Sequence, residues 1–296
     1  MDLQQDLKDF ISERGITQAA LARAVGVSSA AISQYLKSEY AGDVAALEHK
    51  LQAWLIRQTD RQNEQKLTWG YVQTETARRI GNLLKMAHIN GEAVVLYGQA
   101  GLGKTSALLT YHKRNPDAIF IETDPSFTAK VLLQNIAQTI GSSASGSLHE
   151  VMQGIVDKLK NSSRLLMIDE AELLPLRALE CLRRIHDKTG CGLVLAGMPR
   201  LLVNLKGKRG ELVQLYSRIG FAMNLGEALS ATDLRQIVQT VLPHLPDDAA
   251  GEMVAAVKGN TRVLCKLMRG VHNMEQINQE KANIEMVRQY AQMLIH

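Results

Sequence analysis

Cysteine is scarce in this chain of 296 residues, with three in all. Cys181, Cys191 and Cys265 form no CxxC pair and have no histidine partners at zinc spacing. That argues against a disulfide framework and a zinc module, and it suits a reducing cytoplasm. No apolar run reaches the roughly 18 residues that a membrane-spanning helix needs, so no membrane partner is expected. The opening MDLQQDLKDF is acidic and amphipathic, unlike a secretory signal. There is no internal repeat and no low-complexity tract. Charge of one sign is also modest. The formal net charge of +4 permits an acidic polymer as partner but does not demand one. What is present is an ordinary globular balance, 46% hydrophobic and 22% charged, enough for roughly one to three domains.

Three blocks follow one another. The first covers residues 1–57. Leu3, Leu7, Phe10 and Ile11 have helical spacing. In GITQAALARAVGVSSAAISQYLKSEY, Thr17 is placed to cap a short helix carrying Ala20, Leu21 and Ala24. Gly26 falls at the turn, where a positive φ is often required. Ser28 is placed to cap a second helix with Ile32 and Leu36 on its buried side. The small residues Ala19, Ala20 and Ala22 allow two helices to approach closely. The pattern resembles the helix-turn-helix of Cro-type repressors, whose second helix enters the DNA major groove. On that resemblance Ser28, Ser29, Ala31, Gln34 and Lys37 would face DNA. A small helical bundle for protein contact is the alternative. The second helix carries only Lys37 as a basic residue and no arginine to bond guanine, so sequence reading by one copy would be weak. Residues 58–70, QTDRQNEQKLTWG, are polar and read as a linker.

The second block, residues 71–226, alternates β-rich apolar runs with helical patterns. Strands are expected at 93–97, 118–122, 164–168, 193–196 and 221–224, and helices at 104–115, 126–140, 148–161 and 176–188. Such alternation implies an α/β domain, a parallel sheet covered by helices on both faces. The first strand runs straight into GQAGLGKTS, residues Gly98, Gln99, Ala100, Gly101, Leu102, Gly103, Lys104, Thr105 and Ser106. Gly98-x-x-x-x-Gly103-Lys104-Thr105 is the P-loop pattern. Its glycines let backbone N–H groups wrap phosphates, and the helix that follows adds its positive end. Lys104 would neutralise the β- and γ-phosphates of ATP, and Thr105 would offer a hydroxyl to Mg²⁺. Later, LLMIDEAE places Asp169 at the end of a buried strand, where it can hold Mg²⁺ through water. Glu170 beside it can orient the attacking water. The acidic pair favours hydrolysis over a nucleotide-only switch.

These features resemble AAA+ ATPases, P-loop NTPases with a helical lid. The resemblance implies two more catalytic residues. Arg218 in LYSRIG matches the arginine finger, which reaches the γ-phosphate of a neighbouring subunit. Arg262 in GNTRVLCKL matches the sensor-2 arginine, which ties the lid to the phosphates of its own subunit. A surface ion pair is the plain alternative for either. One departure stands out: AAA+ proteins usually carry a polar sensor-1 residue after the fourth strand, and GLVLAGMPRL offers no Asn, Ser or Thr. Slow intrinsic hydrolysis, stimulated by a partner, is expected. The third block, 227–296, starts with a Ser230 cap and helical spacing. It is broken at Pro243 and Pro246 and suits the AAA+ lid.

The order of parts, with YVQTETARRI, GQAGLGKT, LLMIDEAELL, GLVLAGMP and LYSRI, closely resembles the Mu-type transposition protein B family. The family implies an ATP-dependent target-selection factor that binds double-stranded DNA largely without sequence preference. It also implies self-association into ATP-dependent helical filaments and delivery of the DNA to a transposase. Lys206, Lys208 and Arg209, read as a basic loop after the fourth strand, are candidate phosphate contacts. The competing functions are an ATP-gated transcriptional regulator, a helicase or initiator loader, and a membrane-tethered secretion ATPase.

Overall fold

The computed structural model describes residues 3–63, 67–206 and 213–295. The chain divides into two compact units, Met1–Leu67 and Thr68–His296.

The first unit is all-α: α1 (Leu3–Arg14), α2 (Gln18–Val25), α3 (Ser29–Leu36) and α4 (Val44–Asn63). Thr17 Oγ1 accepts from Ala20 N–H and starts α2; Ser28 Oγ accepts from Ala31 N–H and starts α3. Gly26 closes α2 with φ +71°, a left-handed position where a side chain would be strained. Leu7, Leu21, Ile32, Tyr35, Leu51 and Trp54 build the core. Ile32 and Leu36 face inward as their spacing implies. Of the alanines, Ala22 is buried, whereas Ala19 and Ala24 face solvent, because the inward stripe of so short a helix runs through Leu21, Ala22 and Val25. The expected linker 58–70 is corrected in part: α4 continues to Asn63. Its polar composition hides helical propensity, since Gln, Arg and Asp extend a helix already anchored by Leu47, Leu51 and Trp54.

The second unit begins with α5 (Glu75–Asn90), then β1 (Ala93–Tyr97), α6 (Lys104–Arg114), β2 (Ala118–Glu122), α7 (Ala129–Thr139), α8 (Leu148–Leu159) and β3 (Leu165–Asp169). A 3-10 turn (Ala171–Leu173) leads into α9 (Leu176–Thr189), β4 (Gly192–Gly197), α10 (Arg200–Lys206), α11 (Val213–Tyr216) and β5 (Ile219–Asn224). Helices α12 (Ala231–Val241), α13 (Asp247–Ala256), α14 (Thr261–Asn278) and α15 (Ile284–Gln292) complete it.

The five strands form one sheet in the order β2-β3-β4-β1-β5, and every pairing is parallel. Alternate strand residues serve opposite faces. Val95, Ile121, Ile168 and Leu195 pack with α7, α8 and α9, whereas Val94, Leu96, Met167 and Ala196 pack with α5 and α6. Burial on both faces explains the unbroken apolar runs in β1, β3 and β4. The P-loop leaves the carboxyl end of β1, and Asp169 closes the same end of β3, with the central strand β4 between them.

Candidate nucleotide-binding site

Loop chemistry builds the site first. Gly101 and Gly103 have φ +80° and +82°, so the chain between β1 and α6 turns through left-handed positions open to glycine. Lys104 opens α6 and is 9% exposed. Its Nζ donates to the carbonyls of Gly98 and Gln99, both at 2.8 Å. Burial pushes its ammonium below the ordinary lysine value, and the carboxylates of Asp169 and Glu172 partly offset this. Gln99, Ala100, Leu102 and Ser106 lie along the same wrap.

Thr105 Oγ1 donates to Asp169 Oδ2 at 2.6 Å, and Asp169 Oδ1 accepts from Glu170 N–H at 3.0 Å. Glu170 has φ +53°, an unusual angle for a residue with a side chain. Thr123, buried at the end of β2, holds that bend. Its Oγ1 donates to the carbonyls of Asp169 and Glu170, each at 3.0 Å. The Glu170 side chain is pushed above the usual carboxylate range, first by desolvation and then by Asp169, Glu172 and Glu122.

The lid meets the loop directly. Thr261 N–H and Oγ1 both donate to Gly101 O, at 2.8 and 2.7 Å. Asn260 caps α14 by accepting from the N–H groups of Arg262 and Val263. A β-carbon at Gly101 would collide with the Asn260 side chain. On the other flank, Asp233 of α12 accepts from Glu75 N–H at 3.0 Å and Thr76 N–H at 3.3 Å, capping α5 from the lid.

Two cavities adjoin the loop. One, of about 290 Å³, is lined by Lys104, Thr105, Asp169, Glu170, Glu172 and Arg262. The other, of about 320 Å³, is more apolar and is lined by Trp69, Tyr71, Ile80, Leu102, Leu229 and Ile237 among others. The first gathers cations and carboxylates and suits phosphates; the second suits a base and sugar. Among the described residues no three or more His, Cys, Asp or Glu side chains gather to cage a metal. The hydroxyl and carboxylate of Thr105 and Asp169 are hard oxygens that fit Mg²⁺, an ion commonly shared between one or two carboxylates and substrate phosphates.

Of the residues expected from sequence, the P-loop, Asp169, Glu170 and Arg262 thus converge. Arg218 does not join them. It precedes β5, whose Ile219 pairs with Ala93 at the start of β1. The P-loop leaves the other end of β1, roughly 15 Å away at about 3.3 Å per residue. Arg218 Nε donates to Asp187 Oδ1 at 2.9 Å, and the side chain is 53% exposed. In the first unit Ser28, Ser29, Gln34 and Lys37 are exposed and Ala31 is half-buried. Lys206 is corrected from a loop to the last residue of α10, with Nζ 5.9 Å from the Tyr216 ring centroid. The apolar Leu201 and Leu205, both buried, carry the helix that far. Lys208 and Arg209 lie outside the described residues. The three cysteines are free thiols, each raised by burial. No helix among the described residues is long and apolar enough to cross a membrane.

Sequence reasoning missed Thr123, Glu172, Asp233, Asn260 and Thr261. Only Asn260 left a signal, as a capping residue directly before the helix that carries Arg262.

Residues 89–205 match the AAA domain family. The chain is 34% identical to the Mu-like prophage FluMu DNA transposition protein B of Haemophilus influenzae, over 74% of this chain and 78% of that protein. It is 29% identical to the ATP-dependent target DNA activator B of Escherichia phage Mu, over 74% of this chain and 71% of that protein. Among solved structures, the ORC2 protein of Aeropyrum pernix superposes with a TM-score of 0.62 at 15% identity, over 78% of this chain and 72% of that one. Domain III of the Thermotoga maritima replication initiation protein DnaA does so with 0.54 at 16% identity, over 76% and 95%. These two likenesses concern the fold. Loop, acidic strand end and lid arginine in one cavity, together with the 34% relative, place the molecule: the chain belongs to the Mu-type transposition protein B family and is an AAA+ ATPase.

Proposed function

We propose that the protein is an ATP-dependent, largely non-sequence-specific DNA-binding ATPase. It assembles on target DNA in the bacterial cytoplasm and presents that DNA to a transposase, stimulating strand transfer. The observation that carries this reading is the convergence of Lys104, Thr105, Asp169, Glu170 and Arg262 on one cavity in a chain of this family.

ATP lies with its phosphates along residues 98–106 and its base in the apolar cavity. Lys104 exchanges its two loop carbonyls for β- and γ-phosphate oxygens. Thr105 and Asp169 hold Mg²⁺, which when bound supplies charge neutralisation at the phosphates. Glu170 orients the attacking water and takes its proton, helped by the raised proton affinity of its carboxyl. Arg262, on the lid, pairs with the phosphates of its own chain. Arg218 serves the site of a neighbour, because the length of the sheet separates it from its own loop. Subunits joined in that head-to-tail manner build a helical filament when the rotation does not close.

Duplex DNA is held by phosphate contacts summed over many subunits. Ser28, Ser29, Ala31, Gln34 and Lys37 of the first unit are candidates, with Lys206, Lys208 and Arg209. Hydrolysis is slow alone and is stimulated by the transposase, which releases the protein from DNA.

The test is electron microscopy of the purified protein on random linear DNA with ATP, ADP or no nucleotide. Filaments or clusters with ATP alone, lost in Lys104→Ala, support the reading. A discrete complex at one site, with no ATP-dependent assembly, overturns it in favour of a regulator.

A further inference from the structure

The fourth strand ends without the polar side chain that this class of ATPase usually carries there, yet the space beyond it is not apolar. Gly197 closes β4. Its φ is not positive, so the backbone does not call for glycine. A β-carbon at Gly197 would instead run into the carboxylate of Glu172. That carboxylate therefore occupies the place a side chain on residue 197 would enter.

Glu172 lies in the 3-10 turn after Asp169 and is 8% exposed. The turn is fixed from several sides. Leu173 N–H donates to Glu170 O at 2.9 Å, and Asn204 Nδ2 donates to Glu172 O at 3.1 Å. The side chain lines the phosphate cavity with Lys104, Asp169 and Glu170, yet buried Oε2 has no hydrogen-bond partner among the described residues. An ionised carboxylate can only accept. Leaving such an acceptor buried and unmet is destabilising, and a fold that retains one calls for an explanation. The Lys104 ammonium, which lines the same cavity, is already given to two loop carbonyls. A donor brought in with the ligand completes the set.

We propose that Glu172 replaces the missing sensor at the end of β4 and accepts a hydrogen bond from the water that attacks the γ-phosphorus. The inference rests on the ATP-hydrolysing reading of this cavity. The water oxygen forms the new P–O bond as the bond to the β-phosphate bridging oxygen breaks. One proton passes to Glu170, and the other is held by Glu172 without transfer. Glu172 thereby fixes the second hydrogen of the water and aims its lone pair.

The experiment compares steady-state ATP hydrolysis on DNA and equilibrium binding of a non-hydrolysable ATP analogue in the full-length chain. Glu172→Ala is expected to lower kcat about 10²-fold through misplacement of the water. Analogue affinity should stay within about threefold, since uniform binding is untouched. Glu172→Gln, which keeps an accepting carbonyl, should fall between the two and covers the case that the alanine variant folds poorly. The decisive variant is Glu172→Ala with Gly197→Asn, which empties the space and fills it from the strand. Recovery of at least about tenfold in kcat over the single variant is expected, a rescue that a packing role would not give. Unchanged kcat in Glu172→Ala, or no recovery in the swap, overturns the proposal. Failure of the parent chain to bind the analogue would instead overturn the nucleotide reading beneath it.

Discussion

Thr105 Oγ1 and Asp169 Oδ2 stand 2.6 Å apart, one short hydrogen bond joining the first turn of α6 to the carboxyl end of β3. Asp169 is 1% exposed, so the hydroxyl meets an acceptor that water barely reaches. Thr105→Val keeps the shape and removes the donor. An orphaned acceptor costs about 1–3 kcal/mol, and Tm should fall by about 2–4 °C per kcal/mol in a protein of this size. Calorimetry without nucleotide reads that loss. With ATP and Mg²⁺ present, the same variant should regain less stability than the parent.

Arg218 gives a prediction about neighbours. Arg218→Ala should bind ATP like the parent yet lose most hydrolysis, and Lys104→Ala should neither bind nor hydrolyse. A mixture of the two inactive chains pairs an intact loop with an intact arginine, so ATPase activity should reappear. A mixture as silent as its components would show that Arg218 does not act across subunits.

Asp233 ties the lid to the core through two backbone N–H groups of α5 and is 1% exposed. Asp233→Ala removes a cap that is typically worth about 1 kcal/mol and strands both donors. Tm should drop, and the dissociation constant for ATP should rise several-fold as the lid loses its anchor. Limited proteolysis should cut the connection between β5 and α12 more readily in the variant. Unchanged melting and affinity would show that the contact contributes nothing.

The Glu170 carboxyl has a raised proton affinity. A base must be ionised to act, so a raised pKa makes kcat fall on the acid side at a higher pH than an ordinary glutamate would. Removing the charge of Glu172 removes one cause of that rise. In Glu172→Gln the acid limb of the kcat profile should therefore move to lower pH. A limb that stays in place would mean that another group governs it.

The parts of the site visible in sequence are those whose partners lie close along the chain. The P-loop needs only β1 before it and α6 after it, and its glycines declare the turn. Asp169 and Glu170 follow an apolar strand, which gives their burial away. Strands β1, β3 and β4 are legible because both faces of each are covered and each reads as an apolar run, whereas the edge strand β5 is largely exposed and its start lies two residues before its apolar stretch. Helix α5 carries no such sign, since its buried Ile80, Leu83, Leu84 and Ala87 sit among polar residues. Thr123 acts on Glu170 only because β2 pairs with β3, and Glu172 gains meaning only from Gly197 two elements later. Asp233 and Thr261 are ordinary helix-start residues until the lid folds over α5 and the loop. Pairings across the fold, invisible to local pattern, supply every one of these.

The loop carbonyls that hold Lys104 bear on how the cycle ends. A lysine left bare in a low-dielectric cleft would make the vacated state costly and product departure slow. Lys104 Nζ has the carbonyls of Gly98 and Gln99 within reach, so under the proposed function the ammonium has acceptors to return to as phosphate leaves. Loss of nucleotide then becomes an exchange of acceptors rather than the exposure of an unmet cation. Under the proposed function, nucleotide loss and the release of DNA that follows it would not have to leave the Lys104 ammonium without an acceptor.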